Sequence, residues 1–126
     1  LIQKIASCGT INPVGSKRND PMQREILTYL QYNYTEPLRL ETLAEQFHLS
    51  EKYLSRYFKQ HFHLTLTQYL MHLRLTHACH LLESTSLPVT EVALQSGFPN
   101  VSHFIRCFHR TYQMSPLQYR KQLPYQ

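Results

Sequence analysis

Two stretches of sequence that repeat one pattern decide the fold. Residues 43–58 read LAEQFHLSEKYLSRYF, and residues 92–108 read VALQSGFPNVSHFIRCF. Leu43 aligns with Val92 at an offset of 49, and after one inserted residue Arg56 aligns with Arg106 at an offset of 50. Each copy predicts a short helix, a tight turn and a longer helix, which is the helix-turn-helix plan.

The match continues beyond the quoted stretches. Further pairs at the offset of 50 are Phe58 with Phe108, Phe62 with Tyr112, Leu64 with Met114, Thr65 with Ser115, Gln68 with Gln118 and Tyr69 with Tyr119. The turn positions are His48 and Gly97, each followed by an apolar residue. We expect a positive φ at both, because glycine adopts it freely and histidine is among the side chains that tolerate it.

Capping residues and apolar periodicity predict about seven helices and an all-α fold, with two helix-turn-helix subdomains joined by a long central helix. Asp20-Pro21 starts the first helix, and Ser115-Pro116 starts the last. Between them we expect helices over 40–47, over Glu51–Phe62 capped by Ser50, from Thr65 or Thr67 to about Glu83, over 91–96 capped by Thr90, and over Val101–Tyr112. Gly97 follows the short helix as a C′ glycine.

Composition is that of a soluble globular protein, with 42% hydrophobic and 17% charged residues in a chain of 126. No apolar run is long enough for a transmembrane helix, and three widely spaced cysteines fit a reducing cytoplasm better than a disulfide framework. The net charge of +5 is unevenly spread, because residues 20–49 carry −3 and residues 50–126 carry +5. A polyanionic partner is compatible with this distribution.

The second helix of each copy presents hydrogen-bond donors on its predicted outward face. These are Lys52, Ser55, Arg56, Lys59 and Gln60 (with Glu51) in the first copy, and Ser102, His103, Arg106, His109 and Arg110 in the second. An arginine can bind guanine O6 and N7 together, and Arg56 and Arg106 occupy matched positions. We expect these two to select bases, while Lys59 and Arg110 hold the DNA backbone.

With these motifs the chain resembles the AraC/XylS transcription regulators over residues 38–122. The residues that carry the resemblance include Leu54-Ser55-Arg56-Tyr57-Phe58-Lys59, Ser96-Gly97-Phe98, Ser115-Pro116 and Tyr119-Arg120. The resemblance implies base-facing roles for Lys52, Ser55 and Arg56 in the first copy, and for Val101, Ser102, His103 and Arg106 in the second. Where the family usually has glycine, this chain has His63 and Gln113, so we expect the helices before them to end differently. Histidine replaces a frequent lysine at His109, which leaves a phosphate contact there open.

The resemblance further implies the DNA-binding domain of a bacterial transcription regulator that reads two adjacent major-groove segments of double-stranded DNA, with an activator as the expected class. Residues 1–19 would be a linker or tail from a preceding effector domain, and 20–126 the DNA-binding domain. Its parts would be 38–64 and 88–113 as the two helix-turn-helix units, 65–84 as the linker helix and 115–123 as the closing helix. RNA polymerase is a further expected partner, with no membrane, cofactor or metal.

Four other classes of function fit the sequence less well. An enzyme lacks support, since no glycine-rich phosphate loop, Gly-x-Ser-x-Gly or paired carboxylates occur. Zinc binding would need a four-ligand spacing that the eight histidines do not provide. A protein-binding adaptor predicts an exposed apolar stripe on Glu51–Phe62, whereas the predicted outward face of that helix is polar and basic. RNA binding predicts an aromatic stacking platform, whereas the aromatic residues here have the helical spacing of core residues. A helical solenoid would need about three repeats, whereas this chain has two.

Overall fold

The computed structural model describes residues 20–123, and within that range the chain forms seven helices and no strand. They are α1 (Pro21–Asn33), α2 (Leu40–Gln46), α3 (Glu51–Phe62), α4 (Leu66–Ser84), α5 (Val89–Gln95), α6 (Val101–Tyr112) and α7 (Pro116–Lys121). The predicted all-α class is confirmed. The expected linker over 1–19 lies outside the described residues. The chain divides into two compact units, one ending at Leu73 and the other beginning at Arg74.

Side-chain caps start most of the helices where the sequence predicts them. Asp20 Oδ1 accepts a hydrogen bond from the Met22 amide at 3.1 Å, and Ser50 Oγ accepts one from the Tyr53 amide at 3.1 Å. These bonds satisfy amides that have no partner within the helix. Thr65, rather than Thr67, precedes α4, because its hydroxyl and the Gln68 side chain bond reciprocally to each other's amides.

The same reciprocal box recurs at the start of α7, between Ser115 and Gln118. The Ser115 hydroxyl accepts from the Gln118 amide at 3.1 Å, and Gln118 Oε1 accepts from the Ser115 amide at 2.9 Å. The four side chains concerned are the ones that the sequence repeat aligned, so the repeat extends to the details of helix initiation.

One predicted cap is wrong. Thr90 lies inside the first turn of α5, whose N-cap is Pro88 and carries no side-chain cap bond. The Pro88 carbonyl accepts from the amides of Glu91 at 2.9 Å and Val92 at 3.0 Å. Proline already has the extended conformation required before a helix, with φ −63° and ψ 155°. The helix therefore begins two residues earlier than the threonine suggested.

Unit 1 buries one apolar face from each of its helices. Its core consists of Ile26 and Leu30 from α1, Leu43 and Ala44 from α2, Leu54, Tyr57, Phe58 and Phe62 from α3, and Leu66, Tyr69 and Leu70 from α4. The phenyl rings of Phe58 and Phe62 lie 4.5 Å apart, and both contact Tyr69. Helical spacing in the sequence predicts Leu54, Tyr57, Phe58 and Phe62 as the inward residues of α3, and all four are buried. This packing fixes α3 by its inner face and leaves the other face to solvent.

Unit 2 repeats that arrangement. Its buried apolar residues are Leu75, Ala78, Cys79, Leu82, Val92, Ala93, Phe98, Phe104, Cys107, Phe108, Tyr119 and Leu123. Phe108 lies at the centre of an aromatic group, 5.6 Å from Phe104 and 5.5 Å from Tyr119. Leu75 and Cys79 on α4 are nearly completely buried in this core.

The turns of the two units have matching hydrogen bonds. The Leu49 amide bonds to the Ala44 carbonyl at 2.8 Å, and the Phe98 amide bonds to the Ala93 carbonyl at 3.0 Å. The turn residues His48 and Gly97 have φ of 57° and 103°, so the predicted positive φ is confirmed at both.

The ends of α3 and α6 correct another expectation. His63 and Gln113, which replace glycine, have φ of 60° and 61° and adopt the left-handed conformation. Their amides bond to the carbonyls of Lys59 at 2.9 Å and His109 at 2.8 Å. The helices therefore end as they would with glycine, at the steric cost of a side chain in this region.

Candidate nucleic-acid interface

The outer face of α3 is polar and basic. All six residues predicted for this face are exposed: Glu51, Lys52, Ser55, Arg56, Lys59 and Gln60. They lie opposite the buried Leu54, Tyr57 and Phe58, and the three cations outnumber the single acidic residue of the helix, Glu51. The surface therefore combines positive charge with several donors on a rigid helix, as binding to a nucleic acid requires.

The outer face of α6 has the same character and no acidic residue. Ser102, Arg106 and Arg110 are exposed, as predicted, and Val101 is half-buried. Phe104, Cys107 and Phe108 fix the opposite face in the core of unit 2. Arg106 thus holds in unit 2 the place that Arg56 holds in unit 1, on the outer face of the second helix of the turn.

Asn100 caps α6, a role that the sequence interpretation missed. Its Oδ1 accepts from the His103 amide at 2.8 Å, as the Ser50 hydroxyl does for α3. Asparagine before a helix is a strong capping signal, and Pro99-Asn100 could have been read that way. Each cap satisfies one amide of the first turn, and the positive end of the helix dipole there favours a phosphate.

His103 departs from the predicted outward face. Its ring is half-buried, with its centroid 5.8 Å from that of Phe98 and its Nε2 3.7 Å from Cys107 Sγ. Nδ1 is buried and has no hydrogen-bond partner among the described residues. Burial, followed by the nearby charges of Arg106, Arg110 and Arg74, lowers the pKa of His103. A neutral, packed imidazole supports the helix better than it contacts a phosphate.

A hydrogen-bond anchor that sequence reasoning also missed ties α3 to the start of α1. The Tyr57 hydroxyl donates to Asp20 Oδ2 at 2.6 Å. The ring centroids of His61 and Tyr57 lie 4.0 Å apart, and His61 Nε2 lies 4.0 Å from Asp20 Oδ2. The hydrogen bond from Tyr57 lowers the pKa of Asp20, which keeps the carboxylate charged. Because the residues are 37 positions apart, no local pattern points to this contact.

The described residues contain neither a metal-binding cluster nor a membrane-spanning helix. Between positions 20 and 123, no cluster of three or more His, Cys, Asp or Glu side chains has a geometry that could hold a metal ion. No helix in that range has the length and apolar character needed to cross a membrane.

Comparisons with known proteins agree with this geometry. A helix-turn-helix domain family matches residues 43–122. The C-terminal domain of the two-component response regulator yesN from Fusobacterium nucleatum has 36% sequence identity and a TM-score of 0.78, covering 80% of this chain and 99% of that one. The DNA-binding domain of AdpA, solved in complex with a target DNA, has 29% identity and a TM-score of 0.77, covering 82% and 93% of the two chains.

Relatives by sequence include the HTH-type transcriptional activator RhaS from Salmonella schwarzengrund, which is 38% identical over 107 residues. That alignment covers 85% of this chain and 38% of the relative, so the chain spans well under half of the length of the regulator it matches. The C-terminal domain of AraT, a response regulator from Geobacillus stearothermophilus, has 32% identity and a TM-score of 0.81, with 87% and 94% covered. On its sequence, its paired turns and these likenesses, the chain belongs to the AraC-type helix-turn-helix family.

Proposed function

We propose that this chain binds double-stranded DNA sequence-specifically, as the DNA-binding domain of a bacterial transcription regulator. The observation that carries the proposal is the pair of capped helices, α3 and α6, that present Arg56 and Arg106 at matched, exposed positions. Each helix has the dimensions to enter a major groove, and each arginine can bind a guanine in bidentate fashion. Two such helices would read two adjacent major-groove segments.

The remaining side chains take roles that fit their exposure. Lys59 and Arg110 would bind phosphates and set the register, because they lie toward the C-terminal ends of the two helices. Exposed Lys52, Ser55 and Ser102 and half-buried Val101 would contact base edges near the arginines. His103 would act as a packed support, since its neutral ring is held against Phe98 and Cys107.

The wider assignment follows from the relatives. RhaS is named as a transcriptional activator, which supports an activator role for this chain and RNA polymerase as a second partner. Because RhaS is far longer than the matched segment, we also propose a preceding effector-binding domain joined through residues 1–19 to the DNA-binding domain of 20–126. A cytoplasmic, non-enzymatic regulator without a cofactor fits this assignment.

The experiment that tests the proposal selects bound sequences from a random duplex pool and then measures affinity for the selected site and for random DNA. We expect two short conserved blocks about one helical turn apart, and a steep fall in affinity with salt. Arg56→Ala and Arg106→Ala should each cost about 1–3 kcal/mol on the selected site and much less on random DNA. Each should relax base preference in a different block.

Arg24→Ala is the matched control, because Arg24 is an exposed arginine on α1, away from α3 and α6 in sequence. It removes the same charge and should leave base preference intact. Equal losses on selected and random DNA would show that Arg56 and Arg106 bind phosphates instead of bases. Failure to enrich any sequence would overturn the proposed function and favour a protein-binding adaptor.

A further inference from the structure

The outer face of α6 carries one large apolar side chain among its polar residues. Ile105 is 40% exposed, although the helix has a buried side that takes Phe104, Cys107 and Phe108. Ile105 precedes Arg106 directly, and it lies three residues after Ser102 and four before His109. All three of these polar neighbours are exposed. Residues three and four apart share a helix face, so Ile105 is part of the surface assigned to DNA contact.

The matched position in unit 1 makes this isoleucine informative. At the offset of 50 that aligns Arg56 with Arg106, Ile105 corresponds to Ser55, which is also exposed. The two units therefore offer the same arginine beside a hydroxyl in one case and a branched hydrocarbon in the other. Val101, one turn before Ile105 and half-buried, extends the apolar strip toward the start of α6.

The chemistry of the major groove offers one apolar group to such a side chain. Thymine presents its C5-methyl group there, while the other base edges present hydrogen-bond donors and acceptors. Adjacent helix residues are separated by about 1.5 Å along the axis, less than the base-pair rise of about 3.4 Å. With α6 lying in the groove, as the proposed function requires, the exposed Ile105 side chain would be within reach of the base pair that Arg106 reads or of one beside it.

We propose that Ile105 reads the methyl group of a thymine at or next to the base pair bound by Arg106, and that unit 2 thereby acquires a base preference that unit 1 lacks. This inference rests on the proposed function. Ile105 selects by excluding water from the methyl group and forms no hydrogen bond, whereas the hydroxyl of Ser55 at the matched position is able to donate or accept one.

The test removes that methyl group from the DNA. In the duplex selected by the wild-type chain, each thymine is replaced singly by deoxyuridine, and the Kd is measured at fixed salt. Loss of one buried methyl group should raise the Kd about fourfold at a single thymine in the block that Arg106→Ala relaxes. With Ile105→Ala the same replacement should have no effect, because the contacting side chain is gone.

Two variants control for folding and for position. Ile105→Ser places the residue of the matched site at an exposed position, so the thermal unfolding midpoint should hold while the uracil effect disappears. Ser55→Ala should leave the uracil effect at the Arg106 block unchanged. If uracil has no effect at any thymine of that block, or has the same effect in Ile105→Ala, the inference about Ile105 is wrong and the proposed function stands. If the wild-type chain selects no sequence, both are overturned.

Discussion

The two units share one plan and differ in how each is held together. Both form a short helix, a turn and a capped second helix, with the same turn hydrogen bonds at 2.8 and 3.0 Å. Unit 1 fastens its second helix by a hydrogen bond from Tyr57 to Asp20. In unit 2 the matched position is Cys107, and the loop after α4 is held instead by Arg120 on α7. The repeat thus specifies the surface that faces outward, whereas the long-range hydrogen bonds that hold each unit together differ between the two units.

The two units also differ in the backbone conformation of their turn residues. Among the described residues, His48, His63, Gln113 and Gly97 have positive φ. The first three lie between 57° and 61°, within the small region that side chains tolerate, whereas Gly97 reaches 103°. Only the turn of unit 2 therefore requires glycine, and the turn of unit 1 has the same hydrogen bonds without it.

The largest effect is expected from removing the arginine that closes unit 2. Arg120 donates to the carbonyls of Leu82 at 3.2 Å, Thr85 at 3.1 Å and Leu87 at 2.7 Å. Arg120→Ala leaves these acceptors without a charged donor and should lower the free energy of unfolding by about 1.5–3 kcal/mol. Amide hydrogen exchange should rise in α6 before it rises in α3, since the bonds lie in unit 2.

Lys121→Ala is the matched control for Arg120→Ala, because it removes one charge from an exposed position of the same helix. Arg120→Lys should recover only part of the loss, since an ammonium group lacks the planar fork that reaches three carbonyls. Equal destabilisation by Lys121→Ala, or exchange that rises equally in both units, would contradict the closing role of Arg120.

The next effect compares the two turns directly. Gly97→Ala places a Cβ at φ 103° and should cost about 1–3 kcal/mol. His48→Gly relieves a smaller backbone strain but raises the conformational entropy of the unfolded chain. Because these effects oppose each other, the free energy of unfolding should change by under about 1 kcal/mol in either direction. Urea denaturation of both variants measures the difference. A loss of under about 1 kcal/mol from Gly97→Ala would show that the turn of unit 2 tolerates a side chain as well as the turn of unit 1 does.

Much of this architecture could be predicted because its determinants are local. Ser50, followed by apolar residues at helical spacing, predicted the bounds of α3. The same spacing predicted which residues of α3 and α6 face outward, among them Arg56 and Arg106. The prediction at Thr90 was wrong because a favourable capping residue lost to the backbone of Pro88, which already had the extended conformation. Preferences of residue types do not decide between two nearby capping candidates when the backbone of one is restricted covalently.

The parts that could not be predicted depend on contacts between distant residues. The pattern placed His103 outward, but its ring packs on Phe98, whose position follows from the Gly97 turn. In the same way, the replacement of glycine by His63 and Gln113 suggested altered helix ends. The structure keeps the left-handed ends because continuation of the chain into the next capped helix requires the reversal. Tertiary packing overrides the residue preference at these positions.

The smallest effect concerns pH and the hydrogen bond that fastens unit 1. The Tyr57 hydroxyl is the largest influence that lowers the pKa of Asp20, with smaller ones from the amides of Gln23 and Met22 and from His61. A carboxylate whose pKa is lowered by folding stabilises the protein above its ordinary pKa of about 3.9. That stabilisation is lost as the pH falls through the lower, folded value. The effect is small because the Asp20 side chain is 33% exposed and solvent screens it.

Tyr57→Phe should therefore lower the free energy of unfolding at pH 7 and weaken its dependence on pH below about 5, because the pKa of Asp20 returns toward its ordinary value. Urea unfolding of both proteins across that range gives two curves that converge as the pH falls. Tyr53→Phe, one helical turn earlier at an exposed position, should follow the wild-type curve. Parallel curves for Tyr57→Phe and wild type would mean that the hydroxyl stabilises unit 1 equally whether Asp20 is charged or neutral. The hydrogen bond between α3 and the start of α1 would then contribute to stability independently of the charge on Asp20.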